Sequence, residues 1–361
     1  MSDVTLRDVA KTAGVSISTV SRVVRGEDVV NPETKRKVME AVKKLDYYPD
    51  TTARAMVKKQ TNTIGLIISD ISNPFYPPLL RGVENTINKF NYSLILCNTD
   101  ESAEKEKQYL RVMLEKRIDG LIVSLASSAN TRFLKEFEKR NIPIVCIDRK
   151  PKNMEVDTVC VDNIQGAFMA VEYLLKIGHR KIAMISGIRG ITTTEGRIKG
   201  YLKALKDYGV DKSLIVEGKS TIEGAIEAID KLLSLDFSPT ALFSCNNLIT
   251  LGTYIGLKKH DKKIPKDIAV IGFDDLNWAE ALHPSPTVVS QPTYTIGATA
   301  AQILIQRILK EGPKNRQNIV LKTELIVRDS CGTKLRNHMY HKNGMKKGQK
   351  LRVLSEIKAK N

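Results

Sequence analysis

Over residues 5–58 the apolar side chains recur at helical spacing and nowhere alternate as a strand would require. Leu6, Val9, Ala10 and Ala13 form one stripe, Val20, Val23 and Val24 a second, and Val38, Ala41, Val42 and Leu45 a third. Gly14 supplies a tight turn between the first two stripes, and Ser16 can cap the second helix. Asn31-Pro32 opens the third, with Asn as N-cap and Pro at the first helical position. Tyr48-Pro49-Asp50 breaks that pattern, and a short helix over about 51–58 is expected before a polar boundary near residues 60–63.

From Ile64 the pattern changes. Short β-branched runs (TIGLIISD, YSLILCNTD, DGLIVSL, PIVCIDR, then KIAMISG, SLIVEG, ALFSCNN, AVIGFDD) alternate with helical stretches. That alternation predicts βαβ units and parallel, doubly wound sheets. The runs come in two successive sets, split near residues 159–163, so two similar lobes are expected. A helix over about 296–309 and one strand over about 319–327 close the unit. The fold class is therefore α/β: an all-α head followed by a two-lobed, doubly wound sensor. The expected boundaries are 1–49 for the head, 50–61 for a hinge helix and linker, and 62–332 for the sensor. Its N-lobe takes about 62–160 and 292–320, its C-lobe about 161–291 and 321–332. Residues 333–361 lack a core pattern and are expected to be a disordered tail.

Composition narrows the class. With 42% hydrophobic and 27% charged residues the chain reads as globular, and it has no apolar run long enough for a transmembrane helix. The N-terminus has no secretory core, and five scattered cysteines without metal spacing suit a reducing compartment, so a cytoplasmic location is expected. The net charge is +17, but it is unevenly spread. Residues 1–60 hold 12 basic and 8 acidic side chains, whereas 334–361 hold 9 basic and a single acid, so the charge alone says little about DNA.

Two helices joined by a glycine turn make a helix-turn-helix. With Val20, Val23 and Val24 turned inward, Ile17, Ser18, Ser21 and Arg22 are left to face a major groove, with Ser16 at the helix start. Arg22 suits a guanine edge, Ser18 either base type and Ile17 a thymine methyl, while Thr5, Thr19 and Thr34 suit phosphates. The run VTLRDVAKTAGVSISTVSRVVRG, followed by VNPETKRKV, LDYYPD and TTARAM, resembles the head of the lactose/galactose repressor (LacI/GalR) family, and the likeness continues to about Arg328. The resemblance implies a homodimer on double-stranded operator DNA, with paired hinge helices in the minor groove. It places Ala53, Arg54 and Met56 on that hinge, Met56 where the family usually carries a wedging leucine. Asp50 stands where asparagine is usual, and a carboxylate is suited to capping rather than to phosphate.

Ligands of open α/β sheets sit beyond the carboxyl ends of the strands. Those ends here carry Asp70, Ser124, Asp148-Arg149, Gly187, Asn246-Asn247 and Asp274-Asp275, with SNPFY after the first strand and Trp278 after the last. Aromatic faces with carboxylates, amides and guanidiniums suit a polyhydroxylated ligand. Residues 62–328 also resemble periplasmic sugar-binding proteins. That resemblance implies an effector site of Asn73, Phe75, Tyr76, Asp148, Arg149, Arg197, Asn246, Asp274 and Gln291, joined by Trp278 on its position. A sugar, sugar acid or sugar phosphate all remain open as effector, and so does its sign, inducing or co-repressing. No nucleotide-binding, nucleophile-elbow or metalloprotease motif is complete; Gly218-Lys219-Ser220 lacks the first glycine of a P-loop. The expectation is a non-enzymatic transcription regulator, most simply a repressor of carbohydrate genes, with no cofactor, metal or membrane partner.

Overall fold

The computed structural model describes residues 4–24, 30–47, 60–126 and 130–333. The chain divides into two compact units, 1–61 and 62–361. In the first, α1 (Leu6–Ala13) begins in a capping box in which Thr5 and Asp8 satisfy each other's backbone N–H. It ends at Gly14, whose φ of +67° is a conformation that side-chain-bearing residues resist. α2 (Ile17–Val24) starts with Thr19 N donating to Ser16 Oγ at 3.1 Å. α3 (Pro32–Lys44) is capped by Asn31 Oδ1, which accepts from Glu33 N at 2.9 Å. Val9, Ala10, Val20, Val23, Val38, Ala41 and Tyr47 close a small core from all three helices. The expected hinge helix, with Asp50, Ala53, Arg54 and Met56, and the basic tail lie outside the described residues.

The second unit holds two six-stranded sheets. The N-lobe elements are β1 (Thr63–Ile68), α4 (Tyr76–Asn88), β2 (Ser93–Asn98), α5 (Ala103–Glu115), β3 (Gly120–Val123), α6 (Thr131–Lys139), β4 (Ile144–Ile147) and β5 (Asp157–Val161). The C-lobe repeats the sequence with α7 (Asn163–Lys176), β6 (Ile182–Ser186), α8 (Thr192–Asp207), β7 (Leu214–Glu217), α9 (Ile222–Ser234), β8 (Ala241–Ser244), α10 (Asn247–Lys259), β9 (Ala269–Phe273) and β10 (Thr287–Ser290). α11 (Thr293–Ile308), β11 (Asn318–Leu321) and β12 (Glu324–Ile326) follow. Strand order is β2-β1-β3-β4-β5-β11 in one sheet and β7-β6-β8-β9-β10-β12 in the other, so each lobe has the doubly wound order with its switch point beside its first strand. The central strands β3, β4, β5, β6, β8 and β9 are buried throughout, as parallel strands covered on both faces must be.

The single closing strand expected over about 319–327 is instead two. β11 pairs parallel with β5 of the N-lobe, and β12 pairs antiparallel with β10 of the C-lobe. One straight strand cannot serve two separate sheets, so the chain breaks pairing at Lys322-Thr323 as it crosses. α11 returns to the N-lobe and lies on α4. A β-carbon on Gly297 would fall 2.0 Å from Leu79 O, and one on Gly82 would fall 2.2 Å from Tyr294 O, so the two helices touch backbone to backbone through paired glycines. Leu79, Val83, Ile87, Ile296, Ala300 and Leu304 fill the core around that contact.

Equivalent strands of the lobes end alike. Asp148 after β4 and Asp274 after β9 both have positive φ (62° and 70°). After β2, Asp100 and Glu101 are both left-handed (49° and 56°), as are Lys219 and Ser220 after β7 (52° and 59°). These turns set the side chains that face one another between the lobes.

Candidate functional site

On the head, α2 turns Val20 and Val23 into the core and leaves Ile17, Ser18 and Arg22 exposed, with Ser21 half-buried. That is the amphipathic split expected of a groove-reading helix. Its first-turn hydroxyls are tied together, Ser16 Oγ lying 2.7 Å from Ser18 Oγ and 2.8 Å from Thr19 Oγ1. This fixes their rotamers before any DNA arrives. Thr5 is committed to the capping box, and Thr34 lies half-buried in the first turn of α3.

Between the sensor lobes lies a cavity of about 300 Å³, of a size for a small ligand. Asn73, Phe75, Tyr76, Asp148, Arg149, Arg197, Asn246, Asp274 and Gln291 all line it, together with Asp70 and Gly187. Trp278 is the exception: it stands 45% exposed beside the 3₁₀ turn Ala279–Ala281, outside the cavity wall. Phe75 and Tyr76 are both buried and meet edge to face at 5.1 Å. Tyr76 Oη is held by Ser69 Oγ (2.7 Å) and Ser124 Oγ (3.2 Å), so its ring braces the floor with its hydroxyl already engaged. Asn73 Oδ1 accepts from Phe75 N at 2.9 Å and from Asn247 Nδ2 at 3.0 Å, the second bond crossing from lobe to lobe. Lys150 N donates to Thr192 Oγ1 at 3.3 Å in a second crossing. Asn246 caps α10 by accepting from Ile249 N.

The charged groups are mutually engaged. Arg197, on α8, donates from Nη1 to Cys245 O (2.6 Å) and from Nε to Asn163 Oδ1 (2.8 Å), lies 3.5 Å from Asp274 Oδ2, and stacks 3.7 Å over the Phe273 ring. Gln291 Nε2 donates to Asp274 Oδ1. Arg149 forks onto Glu101, Nη2 to Oε1 at 2.5 Å and Nη1 to Oε2 at 2.6 Å, and also reaches Leu125 O. Burial pushes the Asp148 carboxyl up to about 6; Arg149 and Arg197 oppose that rise, while Asp274 and Glu101 add to it. Burial likewise raises Asp274, against the pull of Arg197 and the bond from Gln291. Among the described residues two buried polar atoms in the cavity wall make no hydrogen bond: Arg149 Nε, a donor that lies 3.6 Å from Asp148 Oδ2, and Gln291 Oε1, an acceptor. A ligand hydroxyl can accept from the first, and a ligand hydroxyl can donate to the second.

Inspection of strand ends missed Glu101, Thr193 and Thr194, all of which line the cavity. Glu101 was within reach of the same rule, because it follows the end of β2 as Asp148 follows β4. Thr193 and Thr194 sit in the first turn of α8, four and three residues ahead of Arg197, and carry no pattern of their own. Among the described residues no group of three or more His, Cys, Asp or Glu could hold a metal ion, and no helix is long and apolar enough to cross a membrane.

Residues 61–327 match the family described as periplasmic binding proteins and sugar binding domain of LacI family, and residues 5–50 match bacterial regulatory proteins of the lacI family. The chain belongs to the LacI family. Catabolite control protein A of Priestia megaterium is 38% identical over 86% of this chain and 94% of its own. The repressor PurR of Aliivibrio fischeri (strain MJ11) is 35% identical over 92% and 99%. The solved lac repressor dimer bound to operator and the anti-inducer ONPF superposes with a TM-score of 0.82, at 25% identity over 91% of this chain and 99% of that one. As a LacI-family member the protein is a DNA-binding transcription regulator that joins a helix-turn-helix head to a small-molecule sensor, and its relatives are regulators, not enzymes.

Proposed function

We propose that this LacI-family regulator works in the cytoplasm as a homodimeric repressor of carbohydrate genes, and that a polyhydroxylated effector seated between the sensor lobes sets its operator affinity. The observation that carries this reading is the pair of buried atoms without a hydrogen bond among the described residues, Arg149 Nε and Gln291 Oε1, in a wall where Asn73, Tyr76, Arg197, Asn246 and Asp274 are already hydrogen-bonded. An unpaired buried polar group costs about 1–3 kcal/mol, which ligand hydroxyls recover. Arg149 belongs to the N-lobe and Gln291 to the C-lobe side, so one ligand tying both favours one lobe arrangement over others. An effector shifts an equilibrium only by such differential affinity. The bonds Asn73–Asn247 and Lys150–Thr192 already cross the cleft and would be remade or released as the lobes turn.

On the head, Ile17, Ser18 and Arg22 would read base edges, with Ser16, Thr19 and Ser21 beside them. Thr5 and Thr34 would lie toward phosphates. The hinge roles of Ala53, Arg54 and Met56 rest on the family likeness alone. A selection from random duplexes tests the DNA half: it should return a pseudo-palindrome whose half-sites occupy successive major grooves. A thermal-shift screen over neutral sugars, sugar acids and sugar phosphates tests the effector half, because a ligand that binds only the folded state raises its melting temperature. Equal binding to every duplex, or no thermal shift with any member of the screen, contradicts the corresponding half.

A further inference from the structure

We infer that Glu101 makes the cleft selective for uncharged effectors, because it holds Arg149 in a two-pronged ion pair that an anionic ligand would have to break. The inference rests on the effector-cleft reading above and narrows the ligand from three chemical classes to one.

A guanidinium is the natural partner of a carboxylate or phosphate, and two of them in a sugar-sized cavity would ordinarily invite an anion. Here neither is free. Both prongs of Arg149 are spent on Glu101, with Nη1 shared with Leu125 O, and the pair is largely buried, at 11% and 22% side-chain exposure. Arg197 is spent on Cys245 O, Asn163 and Asp274. Lys219, the remaining cation of the wall, pairs with Glu227 at 3.2 Å. Against these three cations the wall sets Asp70, Glu101, Asp148 and Asp274, with Asp100 already paired to Lys105. An incoming anion would enter a cleft with a surplus of negative charge and would strand a half-buried carboxylate if it captured Arg149. A neutral hydroxyl needs neither change, since Arg149 Nε faces Asp148 at 3.6 Å without a hydrogen bond and can donate to that hydroxyl with the Glu101 pair intact.

The turn itself does not need a carboxylate. The same two left-handed residues follow β7 in the other lobe, where the position of Glu101 is taken by Ser220, whose hydroxyl accepts from Ile188 N at 3.3 Å. Glu101 is held by its own backbone, its N–H bonding Ser69 O at 2.8 Å, so its side chain is available for Arg149 alone. The acid is therefore a property of the cleft and not of the loop.

The test uses the full-length protein, with hydrogen exchange at the loops after β4 and β6 as readout, so that phosphate held by the DNA-binding head does not register. The probes are D-glucose with D-glucose 6-phosphate and D-gluconate, D-ribose with D-ribose 5-phosphate, and inorganic phosphate. In the wild type, protection should come from a neutral sugar, and each matched anion should need at least a hundredfold higher concentration. Glu101→Gln should raise the anion-to-neutral affinity ratio at least tenfold. Glu101→Ser, which copies the other lobe, should move it the same way if the glutamine variant folds poorly. A wild-type cleft protected by a phosphate ester as readily as by its neutral parent overturns this inference and leaves the effector reading standing. So does an unchanged ratio in both variants. No protection by any probe in any of the three proteins overturns the sugar reading, and this inference with it.

Discussion

The two sensor lobes share a strand order and the same left-handed turns after their second and fourth strands, yet they secure their arginines differently. The N-lobe's Arg149 follows β4 directly and is neutralised from the rim by Glu101, where water still reaches the acid. The C-lobe's Arg197 comes from a helix, is 5% exposed, and is embedded among Phe273, Asn163, Cys245 O and Asp274. The repeated backbone supplies positions, and the side chains on it divide the labour. The C-lobe arginine is part of that lobe's framework, whereas the N-lobe arginine, which we propose as a binding group, is held by a counter-charge at the rim.

Removing the arginines one at a time separates the two lobes most strongly. Arg197→Ala leaves Asp274 buried without its partner and orphans Cys245 O, so it should cost about 3–5 kcal/mol of stability. Arg149→Ala leaves Glu101, at 22% side-chain exposure, still reached by some water and should cost less, roughly 2–3 kcal/mol. Urea denaturation of both variants measures the difference; equal losses would contradict the division.

Next in size is a pH effect at Asp148. Its folded pKa, about 6, lies above the ordinary 3.8, so the fold favours the protonated acid. The associated stability is fully present below about pH 4 and is lost as the pH rises through 6. Asn tolerates the left-handed backbone there and cannot ionise. Asp148→Asn should therefore gain on the wild type by up to roughly 3 kcal/mol between pH 4 and pH 7, as followed by melting temperature. A gap that closes over that range would mean the carboxylate is stabilised, not strained, by its setting.

The head provides a smaller effect of another kind. Arg22→Ala should weaken operator binding by about 1–3 kcal/mol and relax preference at one base per half-site, with the sensor's melting unchanged. Quantitative gel shifts on single-base operator variants would show it, and a uniform loss across all sequences would assign Arg22 to phosphate instead. Smallest is Asn247→Ala, which removes one bond between the lobes and should cost about 1 kcal/mol. Calorimetric unfolding checks it, and no loss would mean that the crossing bond to Asn73 is not made in solution.

Much of this was legible in the chain because single residue types dictate local geometry. Gly14 and the valines of α2 specify the head, and the rule that ligands gather at strand ends located Asp148, Asp274 and their neighbours before any contact was known. Trp278 obeyed the rule in position only, since the 3₁₀ turn after it carries the ring outward. The break between β11 and β12 was not legible, because both strands read as one β-branched run and only the crossing between sheets divides them. The place of Glu101 after β2 was legible, but its role was hidden for a related reason. Its meaning is an ion pair to a residue 48 positions away, and such pairing leaves no local periodicity.

In the proposed mechanism the cleft between the lobes controls the head. The direct measurement is operator affinity of the wild type and of Asp274→Ala, titrated with the sugar that the thermal-shift screen selects. Asp274 bonds Gln291 and faces Arg197 in the cavity wall, so its loss should weaken effector binding by roughly 1–3 kcal/mol. The head folds as its own unit, and ligand-free operator affinity should stay near that of the wild type. Operator binding by Asp274→Ala should no longer respond at the effector concentration that switches the wild type. A variant that still switches at that concentration would contradict the mechanism.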